Sequence, residues 1–93
     1  MKLDEIIQAL ENDAPPEDWS FEAKALWYDA KGDWHRSHEL CQEAGNPQGD
    51  RIHAYLHRKE GDVGNAGYWY NRAAEEPFEG TLEQEWTLLV ERL

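Results

Sequence analysis

The pair Gly32–Asp33 recurs as Gly61–Asp62, at an offset of 29 residues, and this repeat limits the fold more than any other feature of the chain. A glycine ends a helix at little cost because it accepts the left-handed conformation, and an aspartate directly after it can cap the next helix. Each pair therefore predicts a tight turn between two antiparallel helices. Superposing the turns places Ala25 over Ala54, Ser37 over Ala66 and Ala44 over Ala73, with Tyr28 over His57 and Cys41 over Tyr70. Small residues thus recur where two helices would cross most closely. One such hairpin cannot bury its apolar face alone, whereas two stacked hairpins share a core.

The rest of the chain fits around these turns. Leu3, Ile6, Ile7 and Leu10 recur at helical spacing, with Asp4 and Glu5 in the first turn, and Pro15–Pro16 then forces an extended link. Asp18 or Ser20 can cap a helix running to about Lys31, with Phe21, Ala25 and Tyr28 facing inward. Asp33 opens the next helix, whose buried face is Trp34, Ser37, Leu40, Cys41 and Ala44. Asn46–Pro47 is suited to starting a fourth helix, since proline at the first helical position loses no hydrogen bond. A fifth helix is expected from Val63 to Ala74, and Thr81 with Gln84 forms a capping-box pattern ahead of Leu82, Trp86, Leu89, Val90 and Leu93. The predicted fold is all-α, with five to six helices. It comprises an N-terminal helix within 1–14, one hairpin over 19–44, a second over 47–74 and a capping helix over 80–93.

With these residues aligned, the stretches from Phe21 to Ala44 and from Asp50 to Pro77 resemble tetratricopeptide and Sel1-like repeats. The period is shorter than is usual for the former, and His57 stands where an aromatic residue is expected. The combination LWYDAKGDW, HAYLHRKEGD and YWYNRAA also looks like a group of small uncharacterised bacterial proteins. The resemblance implies a short right-handed array of stacked hairpins acting as a protein-interaction module.

Charge narrows the partners. Twenty Asp and Glu residues against nine Lys and Arg give a formal charge of -11, a field that repels nucleic-acid backbones and anionic lipid and favours a basic protein or peptide. No apolar stretch is long enough to span a bilayer and no leader pattern opens the chain. Cys41 is the single cysteine, so no internal disulfide can form, which fits a cytoplasmic protein.

Two sets of residues are candidates for function. Trp27, Tyr28, Tyr68 and Trp69 cannot all enter one core, because consecutive helical residues point about 100° apart. Trp27 and Tyr68 are the ones expected near the surface or at a helix–helix seam, where they would form a partner-binding patch or a homodimer contact. The alternative is a metal-binding protein or metal-dependent enzyme. His53 and His57 lie four apart, His35 and His38 three apart, and either spacing aligns two imidazoles on one helical face. His38, His53 and His57 on neighbouring helices form a candidate site for Zn²⁺ or another transition metal, with Glu39 or Glu60 as candidate carboxylate ligands. The helical metalloprotease pattern is missing, because Ala54 rather than a glutamate follows His53. No residue is assigned a catalytic role. Cys41, on an inward face, reads as a structural thiol.

Overall fold

Gly32 and Gly61 adopt nearly the same left-handed conformation, with φ of 87° and 89°. The aspartates after them cap alike. Asp33 Oδ1 accepts from the Arg36 amide at 3.0 Å and Asp62 Oδ1 from the Asn65 amide at 3.1 Å. The amides of Asp33 and Asp62 donate back to the carbonyls of Tyr28 and His57, both at 2.9 Å. The two turns are congruent.

The computed structural model describes residues 1–93 and contains six helices and no strand: α1 (Leu3–Ala9), α2 (Phe21–Ala30), α3 (Trp34–Ala44), α4 (Pro47–Lys59), α5 (Val63–Arg72) and α6 (Leu82–Glu91). Their starts follow the capping chemistry. Ser20 caps α2, Asn46 caps α4 with Pro47 in its first turn, and Thr81 and Gln84 make the expected capping box at α6. α5 stops two residues before the expected Ala74, which takes a positive φ of 58°.

α2 with α3 and α4 with α5 form the two hairpins, and α3 packs on α4 between them. Where α3 and α4 meet, a Cβ on Gly49 would lie 2.9 Å from the Cys41 carbonyl oxygen and 3.0 Å from Ala44 Cβ, so only glycine allows this approach. α6 rests on α4, α1 and α2. Its Trp86 donates Nε1–H to the Leu26 carbonyl at 3.1 Å, and Trp27 on α2 donates to the Ala9 carbonyl of α1 at 2.8 Å. Ile6, Leu26, Trp27, Leu40, Ile52, Leu56 and Val90 fill the core between these helices.

α2 is covered on several sides, and this reverses two expectations drawn from its sequence. Phe21, expected inside, is 45% exposed, and Trp27, expected near the surface, is 1% exposed. A helix enclosed by α1, α3, α4 and α6 buries neighbours such as Ala25, Leu26 and Trp27 together and has no single apolar stripe to read. No helix is long and apolar enough to cross a membrane.

Candidate metal centre

The antiparallel pairing of α3 and α4 sets Gly49 beside Cys41 and carries His38 to the level of His53 and His57. The two α4 histidines share a face because they are one turn apart. The ring centroids lie 4.3 Å apart for His38 and His53, 4.8 Å for His53 and His57, and 5.3 Å for His38 and His57. One ring nitrogen from each lies within 4.8 Å of the others. Three imidazoles on one Zn²⁺, with Zn–N of about 2.0–2.1 Å, bring their centroids to roughly 5 Å and their donor nitrogens to about 3.3 Å. The centroids have about that spacing, while the nitrogens, within 4.8 Å of one another, must close in for all three to bind one ion.

Two tryptophans wall the cluster. Trp34 stacks on His38 at 4.9 Å and anchors itself by donating Nε1–H to the Leu56 carbonyl at 2.9 Å. Trp69, from α5, stacks on His53 at 3.8 Å with planes only 12° apart. His53 and His57 are buried, while His38 is half-buried and gives the cluster its outer edge. Burial pushes the His53 pKa down to about 3, and the neighbouring His38, His57 and Arg72 add to the effect. Burial first, and then His57, also lowers His38. Both rings are therefore neutral at pH 7, the form that has a lone pair to give.

Outside the trio, His57 Nδ1 meets Glu60 Oε2 at 2.6 Å and His57 Nε2 faces Asn65 Nδ2 at 3.5 Å. Glu60 and Asp62 each have a carboxylate oxygen within 4.8 Å of a His57 nitrogen. His35 is exposed and takes no part. The two largest surface clefts lie elsewhere, one of about 840 Å³ between Arg51, Phe78, Leu88 and Arg92 and another of about 530 Å³ between Ile7, Leu10, Tyr55 and Trp86. The three imidazoles line neither cleft.

The aromatic residues expected to meet a partner are dispersed. Trp27 lies under α1 and offers no surface, a correction that follows from the enclosure of α2. Tyr28 is half-buried, edge-on to Trp27 and under the Arg36 guanidinium. Trp69 is half-buried against His53, and Tyr68 alone is 55% exposed. In addition, α6 packs on α2 and α4, the first helices of the two hairpins. Cys41 is a core thiol whose pKa burial pushes up, with Asp29 adding to the shift.

Sequence reasoning missed a second polar cluster. Glu85 of α6 is wholly buried, and its Oε2 accepts from Arg51 at 2.5 Å and from the Tyr70 hydroxyl at 2.5 Å. Its Oε1 accepts from Arg58 at 2.8 Å. A smaller group joins buried Asp29 to the Tyr55 hydroxyl at 2.7 Å and to Lys59 at 2.9 Å. One signal for Glu85 was present: it sits three after Leu82 and four before Leu89, within the apolar stripe of its own helix.

No protein-family model matches the chain, and no curated protein or solved structure matches it.

Proposed function

We propose that the protein binds a single transition-metal ion through His38, His53 and His57, with Zn²⁺ as the reference ion and Cu²⁺ or Ni²⁺ as competitors for an all-imidazole set. The observation that carries this reading is the convergence of three ring nitrogens from two helices within 4.8 Å. Three protein ligands leave a position for water or another small ligand. Because His38 belongs to one hairpin and His53 and His57 to the other, a bound ion would tie the hairpins together. The congruent turns support treating those hairpins as tetratricopeptide-like units.

The test is calorimetric titration of Zn²⁺ into untagged protein that has been stripped with chelator. One equivalent should bind in the wild type, and binding should be lost in His38→Ala, whose half-buried side chain leaves the core intact. Absence of saturable binding in the wild type refutes the proposal.

A second reading, a protein-interaction or homodimer contact for a basic partner or a second copy, rests on the outer part of α5, where Val63 is 75% and Tyr68 55% exposed. Native mass of the wild type beside Tyr68→Lys decides the dimer form of it. A concentration-dependent dimer abolished by the substitution supports that form, and a monomer throughout removes it.

A further inference from the structure

We propose that Glu60 is a positioning residue that fixes the tautomer of His57, so that Nε2 is the nitrogen given to a metal. This rests on the metal-binding reading and extends it to a residue outside the three ligands.

Glu60 Oε2 lies 2.6 Å from His57 Nδ1, the distance of a charge-assisted hydrogen bond in which the ring nitrogen donates to the carboxylate. At the other end of the ring, Asn65 presents its amide nitrogen Nδ2 at 3.5 Å from Nε2. An amide nitrogen only donates, so Nε2 is the acceptor of this long contact, and its lone pair must leave the exposed Asn65 amide to reach a metal. The two contacts agree on one tautomer, with the proton on Nδ1 and the lone pair on Nε2. Metal-bound histidines are commonly prepared in this way, with the second nitrogen donating to a carboxylate.

The turn itself does not demand a carboxylate here. In the congruent first turn Lys31 occupies the place of Glu60, Tyr28 that of His57 and Arg36 that of Asn65. Lys31 points away to the Leu10 carbonyl, which its Nζ meets at 2.8 Å. The same backbone is thus built with and without the carboxylate, and the carboxylate accompanies the imidazole. Gly61 and Asp62 hold the arrangement. The Asp62 amide donates to the His57 carbonyl at 2.9 Å, and the Asp62 side chain caps α5 at Asn65, so one turn places Glu60 on one side of the ring and Asn65 on the other. The Glu60 side chain is 41% exposed, and its removal opens no core cavity.

The experiment uses the full chain with Glu60→Ala and Glu60→Gln. Nitrogen-15 spectra of the metal-free proteins report which His57 nitrogen carries the proton, and Zn²⁺ titration reports affinity. The wild type should show Nδ1–H. Glu60→Ala should lose that preference and bind Zn²⁺ about 10- to 100-fold more weakly. Glu60→Gln, whose side-chain oxygen still accepts, should restore the tautomer and most of the affinity. An unchanged tautomer in Glu60→Ala, or unchanged Zn²⁺ affinity with the tautomer altered, overturns the proposal. If the wild type takes up no Zn²⁺, the metal-binding reading fails by itself, and the metal-free spectra still decide whether Glu60 sets the tautomer.

Discussion

The protein buries polar side chains in quantity at two places, around Glu85 and around the three histidines, and it treats them in opposite ways. At Glu85 both carboxylate oxygens are filled by donors of this same chain, from Arg51, Arg58 and Tyr70. That cluster is closed. It joins α4, α5 and α6 and leaves only Arg51 Nε without a partner. The histidine cluster is held by ring stacking, with Trp34 and Trp69 as walls. Among its contacts within hydrogen-bond range are those of His57 to Glu60 and Asn65, while His38 and His53 touch their neighbours face to face or edge to face. A buried polar group normally has a partner. Here the rings pack by their faces and edges, with one nitrogen of each within 4.8 Å of the others. Burial at Glu85 ties three helices together, and on the proposed reading burial at the histidines leaves nitrogens for an ion.

The largest effect separating the two clusters is expected from Glu85→Ala. It leaves Arg51 and Arg58 facing a void, and breaking a buried ion pair typically costs about 3–5 kcal/mol. That is a large share of the roughly 5–15 kcal/mol that holds a domain together. Urea denaturation should show most of the stability gone, and a loss below about 1 kcal/mol would break the distinction. His38→Ala in chelator should behave differently, with a change within about 1 kcal/mol because the ring is half-buried and has no hydrogen-bond partner to orphan. Zn²⁺ at a hundred times its dissociation constant should add about 2.7 kcal/mol to the wild type and nothing to His38→Ala.

Acid and base should also divide the clusters. His53 titrates at about 3 in the fold against 6.5 for the free side chain, with burial as the main cause. Below 6.5 the unfolded chain binds a proton that the folded chain refuses. The stability that His53 contributes is therefore whole above pH 6.5 and is lost as pH falls toward about 3, by at most about 1.4 kcal/mol per pH unit. His38, lowered for the same reason, adds to this loss. Tyr70 moves the other way, up to about 12, through burial and its hydrogen bond to Glu85. Its contribution is whole below pH 10 and is lost as pH rises through about 12. Urea midpoints in chelator across this range should show an acid limb flattened by His53→Gln and an alkaline limb flattened by Tyr70→Phe. If neither substitution alters its own limb, the two clusters do not differ in the way argued.

How far the sequence revealed these clusters depended on whether their signals were local. Helix starts rest on side chains reaching two or three residues along the chain, and Ser20, Asp33, Asn46, Asp62 and Thr81 were readable for that reason. The histidine trio was half-readable: the His53–His57 spacing is local, and His38 joined it only on the assumption that α3 and α4 pack antiparallel. Glu85 was missed because a charged residue is read as solvated until its partners are known. Arg51, Arg58 and Tyr70 stand 34, 27 and 15 residues away from it. Trp27 and Phe21 were exchanged between inside and outside because α2 is enclosed, and helical periodicity orients only a helix with one wet face.

The smallest expected effects concern the two caps. Asp33 and Asp62 end congruent turns and accept from the third residue of the next helix at 3.0 and 3.1 Å, so alanine at either should cost about 1 kcal/mol. In metal-free protein the two losses should agree to within a few tenths of a kcal/mol, the usual scatter for independent sites. Their consequences for Zn²⁺ should differ. Asp33→Ala loosens a turn whose Trp34 stacks on His38 at 4.9 Å but which places no hydrogen-bonding group against His57. Asp62→Ala loosens the turn that holds Glu60 and Asn65 against His57, so Zn²⁺ affinity should fall further in this variant. Equal affinities in the two variants, with equal stability losses, would mean that the second turn supports the metal centre no more than the first does.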